Sequence, residues 1–597
     1  MKILGKLIFI LTPKERKSAS FLLLMILLMA LIDVIGVASI LPFMSVLVNP
    51  SLIETNFILI NLFEFFKSFG IENNEQFLFL LGTIVFVILI TSLIFKAITT
   101  YFQIRFKEMV QYSLSKRLVE KYLHQPYEWF LSNHTAEAGK TILSEVSNVC
   151  SSGIRPLLEL ISRAIVSIFI IILLFLTDPK LTLGVGFLIG GIYYLIFFFS
   201  KKYLNLIGEE NLKQNHLRYK SIIDAFGASK EVKVGGLEKN FIKNFSVPSK
   251  IFAVNKAFVG LVSLLPRYIL EATAFGGIIL IILYKMSQSG TFSTALPIIS
   301  LYVFAGYRLM PAAQNIYASF SQITFTGPSI EKLYTDINNL NPVNLDQDES
   351  ILPLNKKISL KNICYSYPNA SRTALKNINL NIFVKNTIGL VGATGSGKTT
   401  IVDIILGLLE AQKGTLEIDG KVVNNKNRRA WQNSIGYVPQ QIYLSDTTVS
   451  ENIAFGVNED EINQESVERA AKIANLHEFI VNELPSQYQT VIGERGVRLS
   501  GGQRQRVGIA RALYHKPKLL IFDEATSALD NITERSVMEA IYNKDYKITK
   551  ILIAHRLSTV KRCDKIFLFD KGELKTQGTF EELIKISDDF RESAKNS

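Results

Sequence analysis

Hydrophobic positions along this chain fall into two regimes. Before Phe320 they gather into long runs with few charges, and after Asn344 they shrink to strand and short-helix lengths among polar residues. A helix crossing the hydrocarbon of a bilayer needs about 20 mostly apolar residues, because no water is there to satisfy its backbone groups. Six stretches meet that length: Phe21 to Leu47, Phe77 to Tyr101, Leu157 to Leu176, Leu181 to Ser200, Phe258 to Tyr284 and Phe292 to Phe320. Only Thr177-Asp178-Pro179-Lys180 divides the third from the fourth, which predicts a tight reversal. The pattern therefore predicts a multidomain membrane protein: a six-helix all-α transmembrane domain over 1–335, a polar, acid-rich connection within 336–357, and a soluble α/β domain over 358–597.

Charge orients the spans. Arg105, Lys107, Lys116, Arg117, Lys121 and Lys140 lie between spans two and three, and the segment from Lys201 to Lys256 is richer still. Between spans one and two, Glu54, Glu64, Glu72 and Glu75 stand against Lys67. By the excess of Lys and Arg on the inner side, the N-terminus, both basic segments and the second domain face the cytoplasm. Both basic segments also read as helical, so the spans are expected to continue as rods below the membrane. The net charge of +13 comes from residues flanking apolar spans, which argues against a nucleic-acid partner. Lys2, Lys6, Lys14, Arg16 and Lys17 precede an apolar stretch too long for a signal h-region, and it is read as an uncleaved first span. Cys150, Cys364 and Cys563 show no metal or redox spacing and are expected as reduced thiols. In the outer segment, Asn56 to Phe66 is apolar but too short to span; it either lies flat among outer headgroups or caps the bundle.

The chemistry lies in the second half. Thr387 to Val391 reads as a buried strand entering Gly392-Ala-Thr394-Gly395-Ser396-Gly397-Lys398-Thr399-Thr400, and a helix follows. This fits G-x-x-x-x-G-K-[ST], in which glycines turn backbone N–H groups around phosphate oxygens, Lys398 adds a point charge and Thr399 a Mg²⁺ ligand. Leu519-Leu-Ile-Phe-Asp523-Glu524 is an apolar strand delivering two carboxylates to its end. Hydrolysis of a nucleoside triphosphate is mainly positioning and charge neutralisation, so Asp523 is assigned to the metal and Glu524 to the attacking water.

Leu499-Ser500-Gly501-Gly502-Gln503, Ser527-Ala-Leu-Asp530 and His555 complete a set that resembles the ATP-binding cassette (ABC) ATPases over Ile358 to Leu583. The resemblance implies ATP with Mg²⁺ as nucleotide and metal. It places Tyr367 on adenine, Gln440 on the metal and the water, His555 at the γ-phosphate and Asp530 between paired sites. It also has the pentad of one subunit closing on nucleotide held by another, so a homodimer, or a heterodimer with a similar half, is expected. Each residue also has an unexceptional reading: Tyr367 as a strand-edge aromatic, Gln440 as a loop amide, His555 at the surface. Thr490 to Gly496 resembles the exporter loop that reports nucleotide state.

Six spans ahead of one cassette resemble the exporter type of ABC transporter, a multi-pass protein of the bacterial inner membrane. Gln125 to Phe130 and Ala225 to Gly236 lie where that type carries coupling helices. Leu11 to Arg16, Gly36 to Pro42 and Tyr307 to Pro311 are similar to segments of bacterial flippases for lipid-linked oligosaccharides, with lipid A flippase-like exporters nearby. Such a protein moves an anionic, lipid-linked substrate from the inner to the outer leaflet, in contact with membrane lipids. Charges within spans bear on this, since each costs about 2.5 to 3.5 kcal/mol near the midplane on insertion scales. Glu159 is expected to pair with Arg163, whereas Arg267, four residues before Glu271, and Arg308 are candidates for an anionic headgroup. A peptide or hydrophobic drug exporter would share every cassette motif. A nucleotide-gated channel would share the architecture. A soluble chromosome ATPase would need a coiled coil in place of the spans.

Overall fold

The computed structural model describes residues 2–595 apart from 51–52, 54–55, 69, 72, 134, 178, 290–291, 341–349, 369, 371, 494–495, 525–536, 540–547 and 555–556, and most side chains in 272–308. The chain forms two compact units, one of residues 1–125 with 133–343 and one of 126–132 with 344–597.

The first unit is helical. Its elements are α1 (Lys2–Ile10), α2 (Pro13–Ala38), α3 (Ile40–Val48), α4 (Phe57–Lys67) and α5 (Asn74–Leu123). After α6 (Tyr127–Ser132), which belongs to the other unit, come α7 (Thr135–Lys140), α8 (Arg155–Thr177), α9 (Pro179–Gly227), α10 (Ser229–Gly235), α11 (Glu238–Ser289) and α12 (Phe292–Asn339). Thr12 starts α2 with a capping box: its hydroxyl accepts from Glu15 N at 3.2 Å, and Glu15 Oε2 accepts from Thr12 N at 2.7 Å. The first span is not one helix, because the chain breaks at Ser39 between α2 and α3. The 50 residues of α5 make a rod of about 75 Å, more than twice the hydrocarbon thickness, as expected for spans that continue beyond the membrane. Among the described residues, helices within Pro13–Val48, Asn74–Leu123, Glu137–Thr177 and Glu238–Ile269 are long and apolar enough to cross. The remaining two expected spans fall on α9 and α12, where many side chains lie outside the described residues.

Inside the first unit Met29, Val37, Val166 and Ile170 pack α2 on α8. Leu204, Val259, Tyr317 and Phe325 join α9, α11 and α12. At Gly208 a Cβ would run into the Phe325 carbonyl oxygen, so α9 and α12 approach at backbone distance only because no side chain intervenes. Asp33, buried on α2, accepts from Ser92 Oγ of α5 at 2.8 Å, which satisfies a polar pair inside apolar surroundings. In the outer segment α4 buries Leu59 and sets Phe63 edge-on to Phe77 at 5.2 Å, a contact that caps the bundle, while Phe57 and Phe65 are exposed. The expected Glu159–Arg163 pair does not form; Glu159 Oε1 accepts from Arg155 Nε at 2.9 Å, an i,i+4 pair in the preceding turn.

Between α7 and α8 the helix widens into two π-type turns, Thr141–Glu145 and Cys150–Ile154. A buried ion pair closes over the first, with Lys140 Nζ 3.7 Å from Glu145 Oε1, and Asn215 Nδ2 of α9 donates to that same oxygen at 3.0 Å. Removing one partner of a buried pair strands the other charge. Lys140→Ala is therefore expected to destabilise this unit by about 3–5 kcal/mol, read as loss of protection from proteolysis and a lower melting temperature, while Lys140→Met with Glu145→Leu recovers most of it.

The second unit holds two sheets. Strands β1 (Lys357–Tyr365), β2 (Leu375–Phe383), β4 (Lys413–Ile418) and β5 (Lys421–Val422) form an antiparallel sheet in the order β2-β1-β4-β5. The other strands are β3 (Thr387–Gly392), β6 (Ile435–Val438), β7 (Leu519–Asp523), β8 (Thr549–Ile553), β9 (Lys565–Asp570) and β10 (Glu573–Gly578), in the order β10-β9-β3-β8-β7-β6. Pairing in this sheet is parallel except at β10. Every residue of β7 and β8 is buried, and residues 519–522 and 551–553 within them read as unbroken apolar runs with no alternation.

Candidate active site

The parallel order decides what meets what. Strand β8 lies between β3 and β7, so the loop after β3 and the carboxylates ending β7 share one edge of the sheet. On the far side of β7, β6 runs in register with it, Val438 opposite Phe522, and the chain leaves β6 toward Gln440. Ligands of open parallel sheets bind at this carboxyl edge.

The loop from Gly392 to Gly397 leads into α13 (Lys398–Ile405). Gly397 caps the helix with φ 101°, and a Cβ there would sit 2.7 Å from Leu375 Cδ2, so only glycine turns the chain this tightly. Lys398 Nζ donates to the Gly392 and Ala393 carbonyls at 2.7 and 3.0 Å, holding a cation at the centre of the loop. Burial draws this ammonium below its ordinary pKa, and the Glu524 and Asp523 carboxylates oppose that. Ser396 Oγ is buried and has no hydrogen-bond partner among the described residues, and the first N–H groups of a helix such as α13 have no acceptor within it. An orphaned hydroxyl, a cation and free amides fit an anionic phosphate.

Opposite stand the acids. Glu524 lies just past β7 with φ 52°, and its Oε2 accepts from Gln440 Nε2 at 2.7 Å. Asp523 Oδ2 accepts from Tyr437 OH at 3.3 Å, and burial with the charges of Asp523 and Asp403 raises the Tyr437 phenol. Thr399, Gln440 and Asp523 offer one hydroxyl, one amide and one carboxylate, a sparse oxygen set suited to Mg²⁺, which keeps several waters. Among the described residues no group of three His, Cys, Asp or Glu gathers elsewhere to hold a metal.

The pentad is a helix cap. Ser500 is the N-cap of α14 (Gly501–Tyr514): its hydroxyl accepts from Gln503 N at 3.2 Å, and Gln503 Oε1 accepts from Ser500 N at 2.7 Å. Leu499 is buried beneath it, and Gly501 and Gly502 leave the first turn without side chains. The result is a capped helix terminus whose positive dipole end is open to a close anion.

Residues 375–527 match the family described as ABC transporter, and residues 39–304 match the ABC transporter transmembrane region. An ATP-dependent lipid A-core flippase of Cupriavidus pinatubonensis is 31% identical over 474 residues, 78% of this chain and 79% of that one. The chain belongs to the ABC transporters, as an exporter half-transporter. A leukotoxin export ATP-binding protein of Aggregatibacter actinomycetemcomitans is 39% identical to the half-transporter over 290 residues, 48% of this chain and 40% of that one. In fold, the half-transporter resembles a bacterial Atm1-family ABC exporter with ATP bound, with TM-score 0.77 at 22% identity over 97% of this chain and 98% of that chain. Its cassette is an ATP hydrolase coupled to transport.

The half-transporter brings Lys398, Gln440, Asp523 and Glu524 together at one edge of the sheet. Tyr367 lies on the same unit, with its hydroxyl hydrogen-bonded to Thr400 Oγ1 at 3.1 Å. His555 and Asp530 lie outside the described residues, as does the side chain of Arg308. Arg267 Nε donates to Glu271 Oε1 at 2.7 Å, so this arginine already has a partner within its own helix. Sequence reasoning missed Tyr437, whose place three residues before Gln440 was the available sign. It missed Arg372, which donates to the Gly395 carbonyl at 3.0 Å, and Asp403, whose carboxyl burial and Asp523 raise to about 6.

Proposed function

We propose that the half-transporter is a lipid flippase that works as a dimer in a bacterial inner membrane, moving an anionic lipid-linked substrate, such as a lipid-linked oligosaccharide, to the outer leaflet. The observation that carries the lipid reading is the likeness to the lipid A-core flippase along 79% of that protein's length, through both membrane and nucleotide halves. We read residues 1–335 as the transmembrane domain, 336–357 as the connection and 358–597 as the cassette.

In this reading Lys398, Ser396 and the N–H groups of the loop hold the β- and γ-phosphates of ATP, and Tyr367 faces adenine. Thr399, Asp523 and Gln440 would hold Mg²⁺, which supplies charge neutralisation when bound. Glu524 accepts a proton from the attacking water as its oxygen bonds to the γ-phosphorus and the bond to the β-phosphate bridging oxygen breaks, releasing ADP. The capped terminus from Leu499 to Gln503 of one copy closes on the triphosphate of the other, with Asp530 and His555 completing the paired sites. Closure turns the cavity outward, which is alternating access.

Arg267 and Arg308 are proposed to receive the anionic headgroup, with Arg267 exchanging Glu271 for it. In vesicles carrying a fluorescent polyprenyl-pyrophosphate glycolipid, replacing both by Ala is expected to cut flipping at least tenfold, by about the loss of one charge-assisted pair, with basal ATP hydrolysis retained. Undiminished flipping in the double variant sinks the headgroup assignment. Peptide export is the second reading, favoured by the 39% identity to the leukotoxin export protein, and peptide-stimulated hydrolysis without glycolipid stimulation would select it.

A further inference from the structure

Two neighbouring carbonyls of the phosphate loop are held in different ways. The Ser396 carbonyl accepts from Gly572 N at 3.1 Å, an ordinary backbone bond. The Gly395 carbonyl accepts instead from Arg372 Nη2 at 3.0 Å, and a Cβ added at Gly395 would lie 3.5 Å from that same nitrogen, so the guanidinium rests against the loop. A carbonyl needs only one donor, which a neutral amide supplies next door. A guanidinium brings five N–H donors and a permanent charge, and among the described residues Arg372 uses it for this one bond. The place of the side chain is fixed by its neighbours. Ala374 N donates to the Tyr365 carbonyl at 2.9 Å, and a Cβ at Gly397 would come within 3.0 Å of the Ala374 carbonyl. Tyr367, on the same connection between β1 and β2, bonds Thr400 Oγ1 at 3.1 Å. This connection therefore touches both the loop and α13, and Arg372 is the only charged residue in it from Ser366 to Ala374. It is exposed, whereas Lys398 is buried.

We propose that Arg372 is a second phosphate-binding cation of the nucleotide site, donating to phosphate oxygens of ATP with the N–H groups that the Gly395 carbonyl does not use. This assignment rests on the reading of Gly392–Lys398 as the phosphate site and is independent of which substrate moves. The two cations divide the work by their surroundings. Burial penalises the charge on Lys398, so that ammonium acts from inside the loop on a phosphate already seated there. Arg372 keeps its charge in water, and its planar fork matches the spacing of phosphate oxygens. Because it belongs to the connection that carries Tyr367, a base stacked on that ring and phosphates held by the loop bring the nucleotide past this guanidinium. An exposed cation is also screened, so its share of the affinity depends on ionic strength.

The test uses the full-length protein in detergent micelles as wild type, Arg372→Lys, Arg372→Gln and, for reference, Lys398→Ala. Lysine keeps the charge. Glutamine loses it but retains an N–H for the Gly395 carbonyl, so the two variants separate binding of phosphate from shaping of the loop. Displacement of a fluorescent ATP analogue is measured with ATP, inorganic tripolyphosphate and adenosine, each at low and high KCl. Arg372→Gln should weaken ATP and tripolyphosphate about tenfold, as for one charge-assisted hydrogen bond at an exposed site, and leave adenosine within about twofold of wild type. Arg372→Lys should recover most of that loss, and the gap between wild type and Arg372→Gln should narrow in high KCl. Wild-type affinity for ATP in Arg372→Gln overturns the proposal. Equal weakening in the lysine and glutamine variants overturns it too, since the side chain then serves loop geometry and not charge. An equal loss for adenosine does the same, because the defect then lies at the base. If Lys398→Ala also binds ATP like wild type, the phosphate-site reading itself falls; if only the Arg372 variants do, this assignment falls alone.

Discussion

Glu524→Gln is expected to lower ATP turnover by about 10²- to 10³-fold while ATP affinity stays within about threefold of wild type. The reason is the separation of tasks at the end of β7. Asp523 is buried and bonded to Tyr437, whereas Glu524 is turned by its left-handed φ of 52° toward Gln440. A Gln side chain has the same shape and keeps a polar partner for the Gln440 amide, now 2.7 Å from Glu524 Oε2, so the local fold is retained. What it loses is the capacity to take a proton from water. Phosphate release under saturating ATP, paired with equilibrium binding of a fluorescent ATP analogue, reads the two quantities separately. Turnover within fivefold of wild type would remove Glu524 from the role of base. In a dimer whose closed form is emptied by hydrolysis, the variant should also accumulate as a crosslinkable closed pair in ATP, which the proposed assembly requires.

Lys398→Ala is expected to weaken ATP binding about 100-fold or more and to abolish measurable turnover, with little change in melting temperature. The expected absence of a stability effect follows from the site. The ammonium is buried and depressed in pKa by that burial, so the folded protein gains little from keeping it there. Its bonds to the Gly392 and Ala393 carbonyls hold the cation in position, while the loop itself is shaped by Gly397 against Leu375. A fall in stability matching the fall in binding would assign Lys398 to the scaffold instead. Titration calorimetry with ATP and differential scanning of the same samples make the comparison.

Much of this was legible along the chain because its chemistry is local. A phosphate loop is contiguous residues between one strand and one helix, and the pentad is contiguous residues whose Ser500 and Gln503 cap one another. Apolar runs of spanning length are set by bilayer thickness alone. Errors arose where a side chain had more than one partner in reach. Glu159 has arginines four residues away on both sides, and rotamer and packing, which spacing does not encode, pair it with Arg155. Ser39 divides the first span between Gly36 and Pro42, and Pro42, which has no N–H for the Ala38 carbonyl, was the available sign of the break.

Composition, periodicity and motif spacing by themselves determined that this protein has membrane-length helices followed by a phosphate-binding α/β cassette, since each rests on residues adjacent in the chain or on a helix of known rise. Only the tertiary structure decided that β8 enters between β3 and β7, that β6 brings Gln440 to Glu524 across 84 residues, and that Glu128 reaches Tyr365 across 237. Such distant pairs depend on strand order and burial in a shared core. Those are set by the packing of the whole unit, and no window of sequence contains them.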